Sequence, residues 1–208
     1  MSESGFRIDE FREPKANSQG VPVLRLCSDD GTNRLSREGV LSLTDVIAEL
    51  AIEKRPLVFA GKDRFFSAGA ELEEISGLDG PSAYEFSKMG QGLMGAIDSF
   101  PAPVYAAIAG YCMGGGLDLA LACHHRIASP HAVFGHRGAA LGLITGWGGT
   151  QRLPRLVGKG RALEMFVAAE KIDARLALKI GLVDAIADNP VAEAVRRIRQ
   201  SHAESLDR

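Results

Sequence analysis

Apolar residues recur along this chain in two rhythms. From Ser36 to Arg55, Val40, Leu43, Ile47 and Leu50 fall at helical spacing, Lys54 and Arg55 occupy the last turn, and Pro56 stops the pattern. Ser82 to Phe100 carries Tyr84, Phe86, Met89, Leu93, Met94 and Ile97, a second helical stripe that closes before Pro101. Elsewhere the apolar residues form short continuous runs. Pro56-Leu-Val-Phe-Ala-Gly61 and Pro103-Val-Tyr-Ala-Ala-Ile-Ala-Gly110 have no polar face, as strands buried on both sides of a parallel sheet do. Residues 6–12 and 21–27 predict two more strands, with the polar stretch Glu13 to Gly20 as the turn of a hairpin. Beyond Gly116 the pattern predicts a helix from Leu117 to about His124, a short strand, a glycine loop, and helices from about Arg161, Asp173 and Pro190. Helices alternating with buried strands imply an α/β fold with parallel pairing. No low-complexity linker or internal repeat divides it, so one domain is expected.

Composition narrows the function classes. Of 208 residues 46% are hydrophobic and 24% charged, which excludes intrinsic disorder and fibrous structure. Lys plus Arg total 24 against 26 for Asp plus Glu, so a nucleic-acid surface lacks its electrostatic footprint, and small-molecule or protein partners are expected. Met1 to Pro14 has no apolar core of a secretory signal, and no apolar run is long enough to span a bilayer. The expected location is the cytoplasm. Three cysteines, Cys27, Cys112 and Cys123, form no spacing motif, and their odd number fits a reducing compartment better than a disulfide framework.

Glycine is the one departure from average usage, and 12 of the 24 glycines lie between Gly110 and Gly160. Backbone that turns tightly or approaches a ligand is concentrated there. Two loops follow buried strands, where open α/β sheets place ligands. In the first, Phe65 to Leu72, small residues at 67–70 leave backbone amides uncovered. In the second, Gly110 to Asp118, the triplet Gly114 to Gly116 opens a helix whose first amides have no intrahelical partner, a ready oxyanion site. A lone triplet more often serves close helix–strand packing, and the pair of loops favours a ligand. His124, His125, His131 and His136 fit no zinc spacing, so no metal is expected. Cys112 and Cys123 have no sequence-placed partner that would make a thiolate.

Three stretches carry a resemblance. Phe66-Ser-Ala-Gly-Ala-Glu-Leu72, then Ala107-Ile-Ala-Gly-Tyr-Cys-Met-Gly-Gly-Gly-Leu-Asp-Leu-Ala120, then Gly146-Trp-Gly-Gly-Thr-Gln-Arg-Leu-Pro154, with Gly181-Leu-Val-Asp184 near the end, resemble the crotonase, or enoyl-CoA hydratase/isomerase, superfamily. The match runs in the family's order from about Phe6 to Asp188. It implies a spiral of strand–strand–helix turns over residues 1–188 and an acyl-CoA thioester as ligand, with no cofactor beyond its CoA. It also implies a homo-oligomer, usually a trimer or hexamer. The resemblance further implies that the amides of Ala70 and Gly115 hold the thioester oxygen as it becomes an enolate, each such donor being worth on the order of 3 kcal/mol. By the same analogy the main chain of Ala68 and Gly69, beside Ala70, lies against the CoA nucleotide.

The acid–base positions depart from the family pattern. Family hydratases have one glutamate shortly after the glycine triplet and a second in a Phe-Gly-x-x-Glu segment; this chain has Asp118 and Gly138. Loss of a positioned acid–base group costs about 10²- to 10⁴-fold, so efficient two-carboxylate hydration is not expected. Asp118 is open to two readings, a weak base or water-orienting group, and a helix-start residue satisfying local amides. Dihydroxynaphthoyl-CoA synthases of the superfamily also carry glycine in the second segment, where bicarbonate can replace the carboxylate. His136 and Arg137, beside the gap, are alternatives as enolate proton donors, or simply solvated loop residues. Trp147 reads as a wall of the acyl pocket or a core anchor, and His124, where the family often has aspartate, as local repacking. The family's chains usually continue past Asp188 through helices that cover the pocket, whereas residues 189–208 supply one amphipathic helix. The segment before Leu57 also looks shortened. A more open pocket, or one roofed by a neighbouring subunit, is the expectation. The reading is therefore an enolate-stabilising acyl-CoA enzyme (isomerase, decarboxylase or weak hydratase), and the alternative is a crotonase-fold protein that binds an acyl-CoA or a protein without turnover.

Overall fold

The computed structural model describes residues 5–11, 20–62 and 64–206. Ser36 caps the first long helix, its side chain accepting the Gly39 N–H at 3.1 Å, and the helix runs Arg37–Glu53 until Lys54 turns into the left-handed region. Asp79 and Ser82 form a reciprocal capping box that starts the second long helix, Gly80–Asp98. Both periodic segments are thus helices with the caps their sequence provides.

The chain winds in turns of strand, strand and helix. β1 (Phe6–Phe11), β2 (Val21–Leu26), β3 (Arg34–Leu35) and α1 (Arg37–Glu53) make the first turn. β4 (Leu57–Ala60), β5 (Phe65–Ser67), β6 (Gly69–Ala70), α2 (Leu72–Ser76) and α3 (Gly80–Asp98) make the second. β7 (Val104–Ile108), β8 (Tyr111–Met113) and α4 (Gly115–Ala122) make the third. The fourth holds β9 (His125–Ala128), β10 (Val133–Gly135), a 3₁₀ turn at Gly138–Leu141, α5 (Gly149–Val157), α6 (Lys159–Ala168), β11 (Ile172–Asp173) and α7 (Ala174–Lys179). β12 (Ala185–Ile186) and α8 (Pro190–Leu206) follow. One sheet, ordered β1-β2-β4-β7-β9-β12, takes the first strand of each turn together with β2 and β12, and is parallel except for β1–β2. β5, β8 and β10 of successive turns build another with β11, ordered β11-β10-β8-β5, and β3 pairs with β6. This is the α/β spiral that the resemblance implied.

Period-2 alternation explains the continuous apolar runs. Leu57, Phe59, Val104, Ala106 and Ile108 point into the main core with Phe66, Leu93, Ile97, Leu117 and Phe134. Val58, Ala60, Tyr105 and Ala107 point the other way, where Ala194, Val195 and Ile198 of α8 cover them. Both faces of the sheet are therefore dry.

Several expectations change. The stretch before Arg161, read as a glycine loop, contains α5, which carries Pro154 inside it. Burial of Leu153 and packing against α4 outweigh the breakers. The two predicted loops are partly strand, since Phe65–Ser67, Gly69–Ala70 and Tyr111–Met113 all pair. Tyr84 is exposed, two residues or about 200° around α3 from buried Phe86. α4 starts at Gly115 and ends before Cys123, which is extended. The turn predicted at residues 13–20 lies outside the described residues except for Gly20. Among the described residues no helix is long and apolar enough to cross a membrane.

Candidate active site

Close backbone contact builds the centre of the site. Ser67 Oγ donates to the Asn33 carbonyl at 2.7 Å and accepts the Gly69 N–H at 3.1 Å, while Asn33 Nδ2 donates to the carbonyls of Phe65 and Phe66. This buried brace holds Gly69 at φ +100°, a region that disfavours any side chain. A Cβ on Gly69 would lie 2.8 Å from the Met113 carbonyl and 3.1 Å from the Gly115 nitrogen. A Cβ on Gly115 would lie 3.2 Å from the Ala70 nitrogen. The predicted pair of amides is thus brought side by side, and Gly115, as the first residue of α4, has no intrahelical acceptor for its N–H. Gly116 explains the rest of the triplet, because a Cβ there would meet Ser67 Cβ at 2.6 Å. Packing accounts for Gly116, and the Gly115 amide is left without an intrahelical acceptor.

These residues line a cavity of about 840 Å³. Ile75, Leu78, Leu143, Ile144 and Trp147 give it apolar walls, and Arg34, Arg64, Arg137 and Lys171 bring four cations to its lining. Phe65 and Tyr111 pack at 5.3 Å, with the Arg64 guanidinium 5.6 Å over Phe65 and Lys171 Nζ 5.5 Å over Tyr111. Ala68 and Gly69 border the same cavity. The cation–aromatic cluster was missed in sequence, because Arg64, Tyr111 and Lys171 meet only through the pairing of β5 with β8 and the return of the chain at β11.

Asp118 is the only Asp or Glu among the residues described as lining this cavity. It is 2% exposed, and Thr145 Oγ1 donates to its Oδ2. Its other oxygen, Oδ1, faces His136 Nε2 at 3.5 Å. Burial pushes the Asp118 carboxyl up to about 7, against the opposing pull of the Thr145 hydrogen bond and the Arg152 charge. Burial likewise pushes His136 down to about 4. The carboxylate binds a side-chain hydroxyl across the fold, and no helix-start amide bonds it among the described contacts.

His136 is not a solvated loop residue: it is 4% exposed and packs on Phe166, with ring centroids 5.2 Å apart. Arg137 is exposed. Gly138 does not leave an open slot for a side chain, because a Cβ would meet the Leu143 carbonyl at 2.7 Å. Trp147 is both wall and anchor. It is buried, donates Nε1–H to the Phe86 carbonyl at 3.2 Å, and its ring occupies the space a Cβ would need on Gly90 and on Gly115. His124 Nδ1 accepts the Val104 N–H at 2.9 Å, at the start of β7, and His125 stacks on Tyr105. Cys112 and Cys123 are buried, and burial raises both thiols, Cys123 to about 12. Among the described residues no three His, Cys, Asp or Glu side chains converge as metal ligands. Thr145, Arg152 and Gly149 were missed in sequence, since their meeting with Asp118 depends on the unforeseen α5 and the loop before it.

Residues 16–207 match the family described as enoyl-CoA hydratase/isomerase. A Bacillus subtilis protein described as "probable enoyl-CoA hydratase" is 44% identical over 146 residues, covering 70% of this chain and 56% of its own length. A crotonyl-CoA hydratase of Syntrophomonas wolfei is 37% identical over 170 residues, covering 80% of this chain and 65% of its own. The chain therefore spans somewhat over half the length of these relatives. The crystal structure of an enoyl-CoA hydratase from Thermoplasma volcanium superposes with a TM-score of 0.85 at 31% identity, over 95% of this chain and 77% of that one. Family match and spiral agree with the paired loop amides, and the chain belongs to the enoyl-CoA hydratase/isomerase family.

Proposed function

We propose that the chain binds an acyl-CoA thioester with its carbonyl oxygen between the N–H groups of Ala70 and Gly115, and that Asp118 moves a proton at the adjacent carbon. The observation that carries this reading is that Asp118 is the one carboxylate among the described residues lining the cavity that contains both amides. As the α-carbon proton passes to Asp118, the C–H electron pair forms the enolate C=C bond and the carbonyl pair moves onto oxygen. Amides already in place stabilise that charge without reorganising. Once the carboxyl proton has exchanged with solvent, its delivery to the α-carbon gives exchange, and delivery of the carboxyl proton to the γ-carbon of an unsaturated chain gives isomerisation. A carboxyl near 7 is suited to both halves of this transfer at neutral pH. No oxidation state changes, so the CoA of the thioester is the only cofactor the reading calls for. Decarboxylation, which needs the amides but no strong base, and slow hydration use the same centre. The four cations and the Phe65–Tyr111 pair suit the phosphates and adenine ring of CoA, alongside the main chain of Ala68 and Gly69.

A second reading is binding without turnover. It is favoured by the covering of Asp118, with Thr145 on one oxygen and the other buried. The deciding experiment is solvent deuterium exchange at the α-carbon of a panel of acyl-CoA thioesters, read by mass spectrometry, with wild type beside Asp118→Asn. Exchange in the wild type that falls about 10²-fold or more in Asp118→Asn is expected for positioned acid–base chemistry. Binding of the same thioesters with no exchange would overturn the α-proton reading and favour the binding protein.

A further inference from the structure

Among buried polar side-chain atoms, Asp118 Oδ1 and His136 Nε2 have no hydrogen-bond partner, and they face each other at 3.5 Å. Buried polar atoms are rarely left unpaired, and that separation leaves no room for a water between the two. The backbone enforces the arrangement. A Cβ on Gly149 would overlap Asp118 Oδ1 and sit 3.1 Å from His136 Nε2, so only glycine at the start of α5 lets the two groups stand this close. On the far side of each group the fold leaves little freedom, with Thr145 on Asp118 Oδ2 and Phe166 against the imidazole.

We propose that His136 is a positioning residue for Asp118: as the neutral tautomer protonated on Nε2, it donates to Oδ1 and so fixes the orientation and the charge of that carboxylate. The inference rests on the reading of Asp118 as the proton carrier and assigns what stands in for a second carboxylate's orienting role. An ionised Asp118 facing the opposite tautomer would set lone pair against lone pair between two buried groups. With Nε2 protonated, the ionised carboxylate accepts from Thr145 and His136 together, and the proton gained from substrate goes to a remaining lone pair of the carboxylate while the imidazole keeps its own. The other titratable groups facing Asp118 are Arg152 from α5 and the thiol of Cys112 from β8, and α4 itself adds none among the described interactions. Burial keeps the thiol neutral near pH 7, and Arg152 Nη2 donates to the Met94 carbonyl and Asp98, so His136 is the neighbour whose removal changes the carboxylate's hydrogen bonding.

The test uses the full chain and reads Asp118 directly. Nitrogen-15 NMR of labelled histidine gives the His136 tautomer, and carbon-13 NMR of labelled aspartate gives the Asp118 titration in wild type, His136→Gln and His136→Leu. The expected result is an Nε2–H tautomer in the wild type. His136→Leu, which removes the donor, moves the Asp118 midpoint up by about one pH unit or more, whereas His136→Gln, which can donate from its amide, leaves it nearly in place. A wild-type Nδ1–H tautomer, or an Asp118 midpoint unchanged in His136→Leu, would overturn the proposal. Deuterium exchange with hexanoyl-CoA, run in parallel, separates this failure from that of the proposed function. Expected NMR behaviour without any exchange sinks the proton-carrier role and leaves the pairing. Exchange with an unmoved midpoint sinks the pairing alone.

Discussion

A carboxyl pushed up to about 7 by burial makes Asp118 a source of pH-dependent instability. Its raised folded value means that the native state holds a proton which the unfolded chain has already released above about pH 4. The stability this group contributes is present below the unfolded value and is lost as pH rises from about 4 to about 7. Asp118→Asn removes that loss, so its melting temperature relative to wild type should climb across the same interval, as a calorimetric pH series would show. A flat difference would mean that Asp118 titrates near its ordinary value. Gly138 carries a separate expectation. Because a Cβ there would meet the Leu143 carbonyl at 2.7 Å, Gly138→Glu should lower the melting temperature and leave crotonyl-CoA hydration no faster than in wild type. Faster hydration would show that the 3₁₀ turn can open to seat the missing carboxylate.

Between elements, the site depends on how closely the start of α4 approaches β5. Gly116 touches Ser67 with no space for a methyl group, and Ser67 in turn braces Gly69. Gly116→Ala should therefore cost about 1–3 kcal/mol through overpacking. It should also weaken acyl-CoA binding by moving the Gly115 amide, which calorimetry and denaturant titration on one sample can read together. Unchanged affinity would detach the glycine contact from ligand binding. The sequence revealed these two loops because small residues after buried strands are visible without coordinates. It did not reveal α5, whose Gly148, Gly149 and Pro154 look like breakers when the packing of Leu153 is unknown.

At the scale of the molecule, the spiral gives two buried faces to one sheet, and α8 covers the outer one. Ile198 is 7% exposed in the cluster with Val58, Tyr105 and Ile127. Ile198→Ala should cost about 2–5 kcal/mol by denaturant unfolding, in the range of large-to-small core changes. The cavity lies on the opposite side, within the turns between α3, α4 and the 3₁₀ segment, so the same substitution should leave acyl-CoA affinity unchanged at temperatures where the protein is folded. A loss of affinity would mean that α8 supports the cavity through the sheet.

Local chemistry by itself determined the helical stripes of α1 and α3, the two-faced strands β4 and β7, and the small-residue stretches Ser67 to Ala70 and Gly114 to Gly116. Each depends on periodicity, or on a glycine's freedom, within a few neighbouring residues. Only the tertiary structure decided that His136 is buried, that Thr145 and His136 converge on Asp118, and that Arg64 and Lys171 reach one cavity. Those groups come from separate turns of the spiral. Desolvation and hydrogen bonding depend on distance through space, which residue order does not contain.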